Sequence, residues 1–126
     1  MILMTNNIPT GKKQWIIADG YLPKKSHGDF VSHEAVCVLN LNQQKAKIEI
    51  TIYFEDREPI KNIRAECPPE RTNHIRLDKI KNQNNEKIPR GVPYAIKLES
   101  DQPIIAQHSR MDTSQQELSL MTTVPY

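Results

Sequence analysis

Between Ala46 and Phe54 the chain alternates without a break. Ala46, Ile48, Ile50, Ile52 and Phe54 fall on one side of an extended chain, and Lys47, Glu49, Thr51 and Tyr53 on the other. A period of two is the signature of a β-strand with one buried and one wetter face. Most of the other patterned segments share it. Gln14–Asp19 is a short β-rich run around Trp15, and His33–Asn40 is a nearly continuous apolar run that ends in a turn at 40–44. Ile60–Cys67 is stopped by Pro68 and Pro69, and Arg71–Leu77 follows. Tyr94–Ser100 and Pro103–Met111 read as two strands with Asp101 and Gln102 as a two-residue turn, and Leu118–Val124 closes the set. Nine prolines sit mostly at strand boundaries, where a missing N–H does least harm. The single helical signal is a capped turn at Thr113–Glu117, with Asp112 or Thr113 as N-cap. Seven or eight short strands predict an all-β, antiparallel sandwich of jelly-roll type.

A chain of 126 residues with 37% hydrophobic residues suits one domain with its own core, expected over residues 13–126 behind a loose arm at 1–12. No apolar run approaches the roughly 20 residues of a membrane span. Residues 78–91 are rich in Lys and Asn and predict a mobile loop. Net charge is +2, small for a general nucleic-acid binder, although residues 57–90 carry nine basic and five acidic side chains. That local excess reads either as a solvated face or as a weak patch for an anionic partner. Cys37 and Cys67 are far apart with no CxxC, which fits a reducing cytoplasm and leaves one disulfide open.

Catalytic patterns are poor. Ser32, His33 and Glu34 have the residue types of a triad, but neighbours on a strand point to opposite faces and do not converge. There is no Gly-rich phosphate loop. Of the four histidines, His27 lies in a polar loop, and His33, His74 and His108 lie on expected strands without an HxH pair. No metal or other cofactor is expected. Two strands each carry a His-x-Arg pair, His74 with Arg76 and His108 with Arg110. Side by side, these would make a small cationic patch for a carboxylate, a phosphate or vicinal hydroxyls. The plainer reading is an Arg–carboxylate network with Glu34, Asp56 or Asp112 that fixes strand ends or a subunit interface. Trp15 and Tyr21 have the aromatic faces to stack on a sugar or base, or to fill the core.

Several blocks, in order, resemble one family. They are Gly20–Pro23, Val31–Asn40, Glu49–Phe54 with Asp56 and Glu58-Pro59, Arg71–Arg76, and Pro103–Asp112. Their joint occurrence, from about Trp15 to Val124, is similar to the sensory rhodopsin transducer family. The resemblance implies a jelly-roll sandwich assembled as a cyclic homotetramer, acting in the cytoplasm as a non-enzymatic signal relay. Its partner would be a membrane photoreceptor (a rhodopsin) or another receptor protein. Relatives also imply binding of a small sugar or anion, and weak DNA binding. The matched blocks nominate Trp15, Tyr21, His33, Glu34, Arg71, His74, Arg76, His108, Arg110 and Asp112 as a shared pocket or tetramer interface. Residues 22–29 and 78–91 depart from the family pattern, and loops are where partner choice usually resides.

Overall fold

The computed structural model describes residues 10–24, 32–112, 119–123 and 125. Its strands are β1 (Lys12–Gly20), β2 (His33–Asn40), β3 (Ala46–Phe54), β4 (Ile60–Cys67), β5 (Arg71–Arg76), β6 (Tyr94–Asp112) and β7 (Ser119–Thr123). All pairings are antiparallel, as expected from the sequence. The expected arm falls mostly at residues 1–9, and the expected capped turn at 113–117; both lie outside the described residues.

The architecture turns on β6, which is 19 residues long. The path β4-β3-β6-β2-β5 runs through it, with β1 and β7 also paired to it. Its first part pairs with β3 on one side and β1 on the other. Its second part pairs with β2 and β7. Two four-stranded halves therefore share one strand: β4-β3-β6-β1 and β5-β2-β6-β7.

The turn expected at Asp101 and Gln102 does not form; the chain bends and continues as the same strand. Asp101 Oδ1 accepts a hydrogen bond from the Lys47 backbone N at 2.8 Å, and Ser100 Oγ accepts one from the Gln102 N at 3.2 Å. Asn42 Nδ2 donates to the Pro103 carbonyl at 2.7 Å. Against β1 the register jumps from Lys12–Ile104 to Gln14–Glu99, so the extra residues of β6 bulge at the crossing between halves. The alternation keeps its phase across the bend. Tyr94, Ile96 and Leu98 before it and Ile104, Ala106 and His108 after it all point inward.

One cluster of buried side chains fills the space between the halves, built on Ile48, Ile50 and Ile52 of β3, Val36 and Val38 of β2, Ile63 of β4 and Ile75 of β5. Each such aliphatic side chain contributes about 1.5–3 kcal/mol of transfer free energy. Trp15 belongs to the same cluster. Its indole N–H donates to the carbonyls of Lys12 at 3.1 Å and Ile104 at 3.0 Å, and the Lys12 ammonium lies 4.4 Å from the ring centre. Gly11 makes this approach possible: at φ +96°, a Cβ there would stand 2.3 Å from the Ile104 oxygen.

Residues 78–91 form no strand, but they are anchored rather than loose. Asn82 is buried, donates to the Lys61 carbonyl at 2.9 Å, and accepts from the backbone N of Asn84 and Glu86 at 3.0 Å each. Ile88 is in the core cluster. A Lys/Asn-rich composition concealed two inward-facing residues that fasten the segment. Both cysteines are free. Cys37 faces outward opposite His74, whereas Cys67 is buried, with burial pushing its thiol pKa up.

Candidate functional site

On β2, Glu34 is in phase with Val36, Val38 and Asn40, all fully or almost fully buried. A carboxylate therefore occupies a position that the pattern gives to an apolar residue. Such a group is tolerated only when it is paired and hydrogen-bonded. Register supplies the partners: Glu34 stands opposite Arg110 and Val36 opposite His108, so both basic side chains of that pair project inward beside the carboxylate.

The pairing is dense. Arg110 Nε donates to Glu34 Oε2 at 2.6 Å, and His108 Nε2 lies 3.4 Å from the same oxygen. Glu34 Oε1 accepts from the Tyr21 backbone N at 2.9 Å and from the Tyr94 hydroxyl. Tyr94 reaches this point because it lies against Gly20, where a Cβ would meet its ring at 2.4 Å. Burial acts to raise the Glu34 pKa. Hydrogen bonds from His108, Tyr94 and Arg110, with the Arg110 charge, outweigh burial and hold it below the ordinary carboxylate range. Burial, with the Glu34 charge and hydrogen bond, pushes the Tyr94 phenol far up, so it stays a donor. At Arg110, burial acts to lower the pKa, but the bond and charge of Glu34 prevail and raise it. Arg110 leads outward: its Nη2 lies 3.9 Å from a carboxylate oxygen of Asp19, which is exposed.

A second network lies close by. Arg76 donates through Nε and Nη2 to the two oxygens of Asp78, both at 2.8 Å. Arg90 Nη2 is 3.7 Å from Asp78, and Arg90 Nη1 donates to the carbonyls of Pro23 at 3.0 Å and Ser32 at 2.9 Å. Burial raises the Asp78 pKa, but the Arg76 bonds and charge, with a smaller effect from His33, leave it lowered. The networks meet where Leu77 N donates to the Glu34 carbonyl at 2.9 Å.

The residues nominated from sequence thus separate. Glu34, His108 and Arg110 converge, with Tyr21 joining through its backbone. The two His-x-Arg pairs do not form one patch. β2 lies between their strands, and Arg76 is opposite Ala35 and His74 opposite Cys37, on the face away from Glu34. His74 and Arg71 are exposed, and Arg71 donates to the Glu70 carbonyl at 3.0 Å. His33 is half-buried near Asp78. Trp15 lies in the core, and the side chain of Asp112 is outside the described residues. Asp56, an alternative carboxylate, is held by the adjacent Arg57 at 3.0 Å. Sequence reasoning missed Tyr94, Asp78 and Arg90. Tyr94 shares the inward phase of Ile96 and Leu98, the one signal that marked it. Asp78 and Arg90 gave none, since both lie in a polar stretch without a period. Among the described residues, no group of three or more His, Cys, Asp or Glu side chains is placed to hold a metal ion.

Comparison with known proteins decides the lineage. The family model of the Anabaena sensory rhodopsin transducer matches residues 10–126. The chain belongs to this family. Among solved structures it is similar to Thermotoga maritima 1070, at 39% identity and a TM-score of 0.84, covering 94% of this chain and 96% of that one. It is also similar to the Anabaena sensory rhodopsin transducer, at 37% identity and a TM-score of 0.72, covering 81% of this chain and 99% of that one. No curated protein sequence matches. As a transducer-family member, the chain has the antiparallel β-rich fold expected from its sequence. No helix among the described residues is long and apolar enough to cross a membrane.

Proposed function

We propose that this transducer-family chain is a non-enzymatic signal-relay module that works in the cytoplasm as a homotetramer. Its partner in this reading is a membrane photoreceptor of the rhodopsin type or another receptor protein. The observation that carries the reading is the family match over residues 10–126 together with the likeness to the Anabaena transducer. The two halves around β6 are read as a sandwich of jelly-roll type.

Surface chemistry supports assembly. Outward side chains of the β4-β3-β6 face are charged, with Lys47, Glu49, Arg64, Glu66 and Glu99 all exposed. Along the outward side of β2 and the second part of β6 the facing pairs are instead uncharged, Leu39 opposite Ile105, Cys37 opposite Gln107 and Ala35 opposite Ser109, with His74 and Arg76 of β5 at their border. An uncharged strip on these two strands suits burial between copies, with Arg76 at its rim. The Glu34–Arg110–Tyr94 network acts in this reading as a rigid brace that joins β1, β2 and β6 under the surface offered to a partner.

A second reading, capture of a small sugar or anion, is favoured by one observation. Arg110 is fixed on a buried carboxylate yet partly exposed, and the exposed Tyr21 ring follows directly on the backbone that caps Glu34. The experiment is light scattering on the purified chain, with co-purification from source-cell membranes and a thermal-shift series of sugars, carboxylates, phosphates and duplex DNA. A tetramer that retains a receptor supports the relay. A monomer without a membrane partner overturns it. A stabilising sugar or anion lost in Arg110→Ala supports the second reading. Retention on DNA that falls steeply with salt would point to DNA instead.

A further inference from the structure

At the end of the molecule where β1 and β3 finish and β6 begins lies a cleft of about 320 Å³. Asp19, Tyr53, Phe54, Glu55, Pro93 and Tyr94 are among its walls. That volume is at the small end of the ligand-site range of about 300–1,000 Å³. The lining joins aromatic rings to carboxylates, the combination that recognises an organic cation. Glu55 is exposed, and no hydrogen bond or ion pair engages its carboxylate among the described residues. Asp19 is 88% exposed at its side chain and touches Arg110 only at 3.9 Å, while Arg110 is already held by Glu34 at 2.6 Å. Lys97 pairs with Glu99 at 3.0 Å and bonds the Tyr53 hydroxyl, and Tyr53 is 39% exposed.

The chain supplies its own precedent beside the cleft. The Arg57 guanidinium stacks over the Phe54 ring at 5.5 Å, held by Asp56 at 3.0 Å. One aromatic wall has therefore already recruited a guanidinium backed by a carboxylate. An adjoining concavity of about 210 Å³ shares Glu55 and Pro93, so the depression runs past the reach of one side chain. A groove longer than one residue suits an extended chain better than a small amine.

We propose that this cleft receives an arginine side chain from a basic peptide segment, with Glu55 and Asp19 facing the guanidinium and Tyr53 beneath its plane. The site goes beyond the relay reading and stands without it, because it needs no receptor and no tetramer. The test is titration of the isotope-labelled full chain with the peptide Gly-Gly-Arg-Gly-Gly, followed by amide shifts. The same peptide with citrulline in place of arginine, equal in shape and without charge, is the control. Saturable shifts confined to residues 18–19, 53–55 and 93–95, absent with citrulline, are expected. Glu55→Gln and Tyr53→Ala, both at exposed positions that leave the core intact, should each weaken binding about tenfold. Shifts that do not saturate, equal binding of the citrulline peptide, or an unchanged affinity in Glu55→Gln would overturn the proposal.

Discussion

At the residue scale the decisive choice is a glutamate at position 34, in a row that otherwise reads Val36, Val38, Asn40. Its carboxylate is sealed from water and held by a guanidinium, a phenol and a backbone amide, with an imidazole beside them. Removing one side of a buried pair destabilises far more than the pair's net worth, because the other charge is left uncompensated. Glu34→Gln keeps the shape and removes the charge, and we expect a loss of about 3–5 kcal/mol in urea unfolding. The pH dependence follows from the same contacts. The Glu34 pKa is lowered in the folded chain, so on acidification the unfolded chain takes up the proton first. The stability it contributes is therefore complete above the ordinary carboxyl value of about 4.5 and lost as the pH falls through the folded value. Unfolding midpoints measured across that window should fall with acid in the native chain. They should fall less steeply in Glu34→Gln. Tyr94→Phe removes one hydrogen bond to a charged group, worth about 1.5–3 kcal/mol, and should move the acid transition to higher pH.

At the element scale the long strand β6 matters most, and its neighbours determine where it bends. Trp15 clasps the Ile104 carbonyl just past the crossing, and Gly11 lies flat against that same residue. Any side chain at position 11 meets the Ile104 oxygen and must also adopt a left-handed backbone. Gly11→Ala should therefore lower stability by about 1–3 kcal/mol. The loss should concentrate in β1 and the middle of β6. Amide exchange would register it as faster opening around residues 12–17 and 100–104 than around β4. Uniform loss of protection would show that the clasp is no special hinge. The anchored segment 78–91 is a second element-scale device. Asp78, between Arg76 and Arg90, ties the end of β5 to the carbonyls of Pro23 and Ser32.

For the whole molecule the contrast between faces sets what it can join. One outward face carries alternating Lys, Arg and Glu side chains, and the other carries an uncharged strip around Leu39 and Ile105 that is bordered by His74 and Arg76. Charge repels burial and apolar surface rewards it. If copies assemble through the second face, Ile105→Asp places a charge in the middle of the contact. We expect light scattering to report a smaller species for Ile105→Asp, with the circular dichroism of the folded sheet retained. Glu49→Ala on the opposite face should leave the mass unchanged. A mass unaltered by Ile105→Asp would place the contact elsewhere.

Local patterning marks where the strands run, although it divides β6 in two. A period of two over Ala46–Phe54 and the prolines at strand boundaries leave no other regular structure, because alternation is a local property of an extended backbone. The matched blocks around Glu34 and Arg110 determined the family, but the sequence left Glu34, Asp56 and Asp112 open as carboxylates for the arginines, and the fold places Glu34 on Arg110. Tertiary structure decided the rest. Asp101 and Gln102 resemble a turn in isolation, but the pairings on either side of them, Ser100 with Ile48 before and Ile104 with Lys12 and Ile105 with Leu39 after, carry the strand through an unpaired bulge. The likeness of His74-x-Arg76 to His108-x-Arg110 is real in sequence and void in space, because register sends them to opposite faces of one sheet. Tyr94 takes its role from Glu34, and Arg90 from the carbonyls of Pro23 and Ser32, all tens of residues away, which no local period encodes; Asp78 has a near partner in Arg76 but joins the network only through Arg90. Pairing register is a sum over many distant contacts, so it alone converts a list of polar residues into a site.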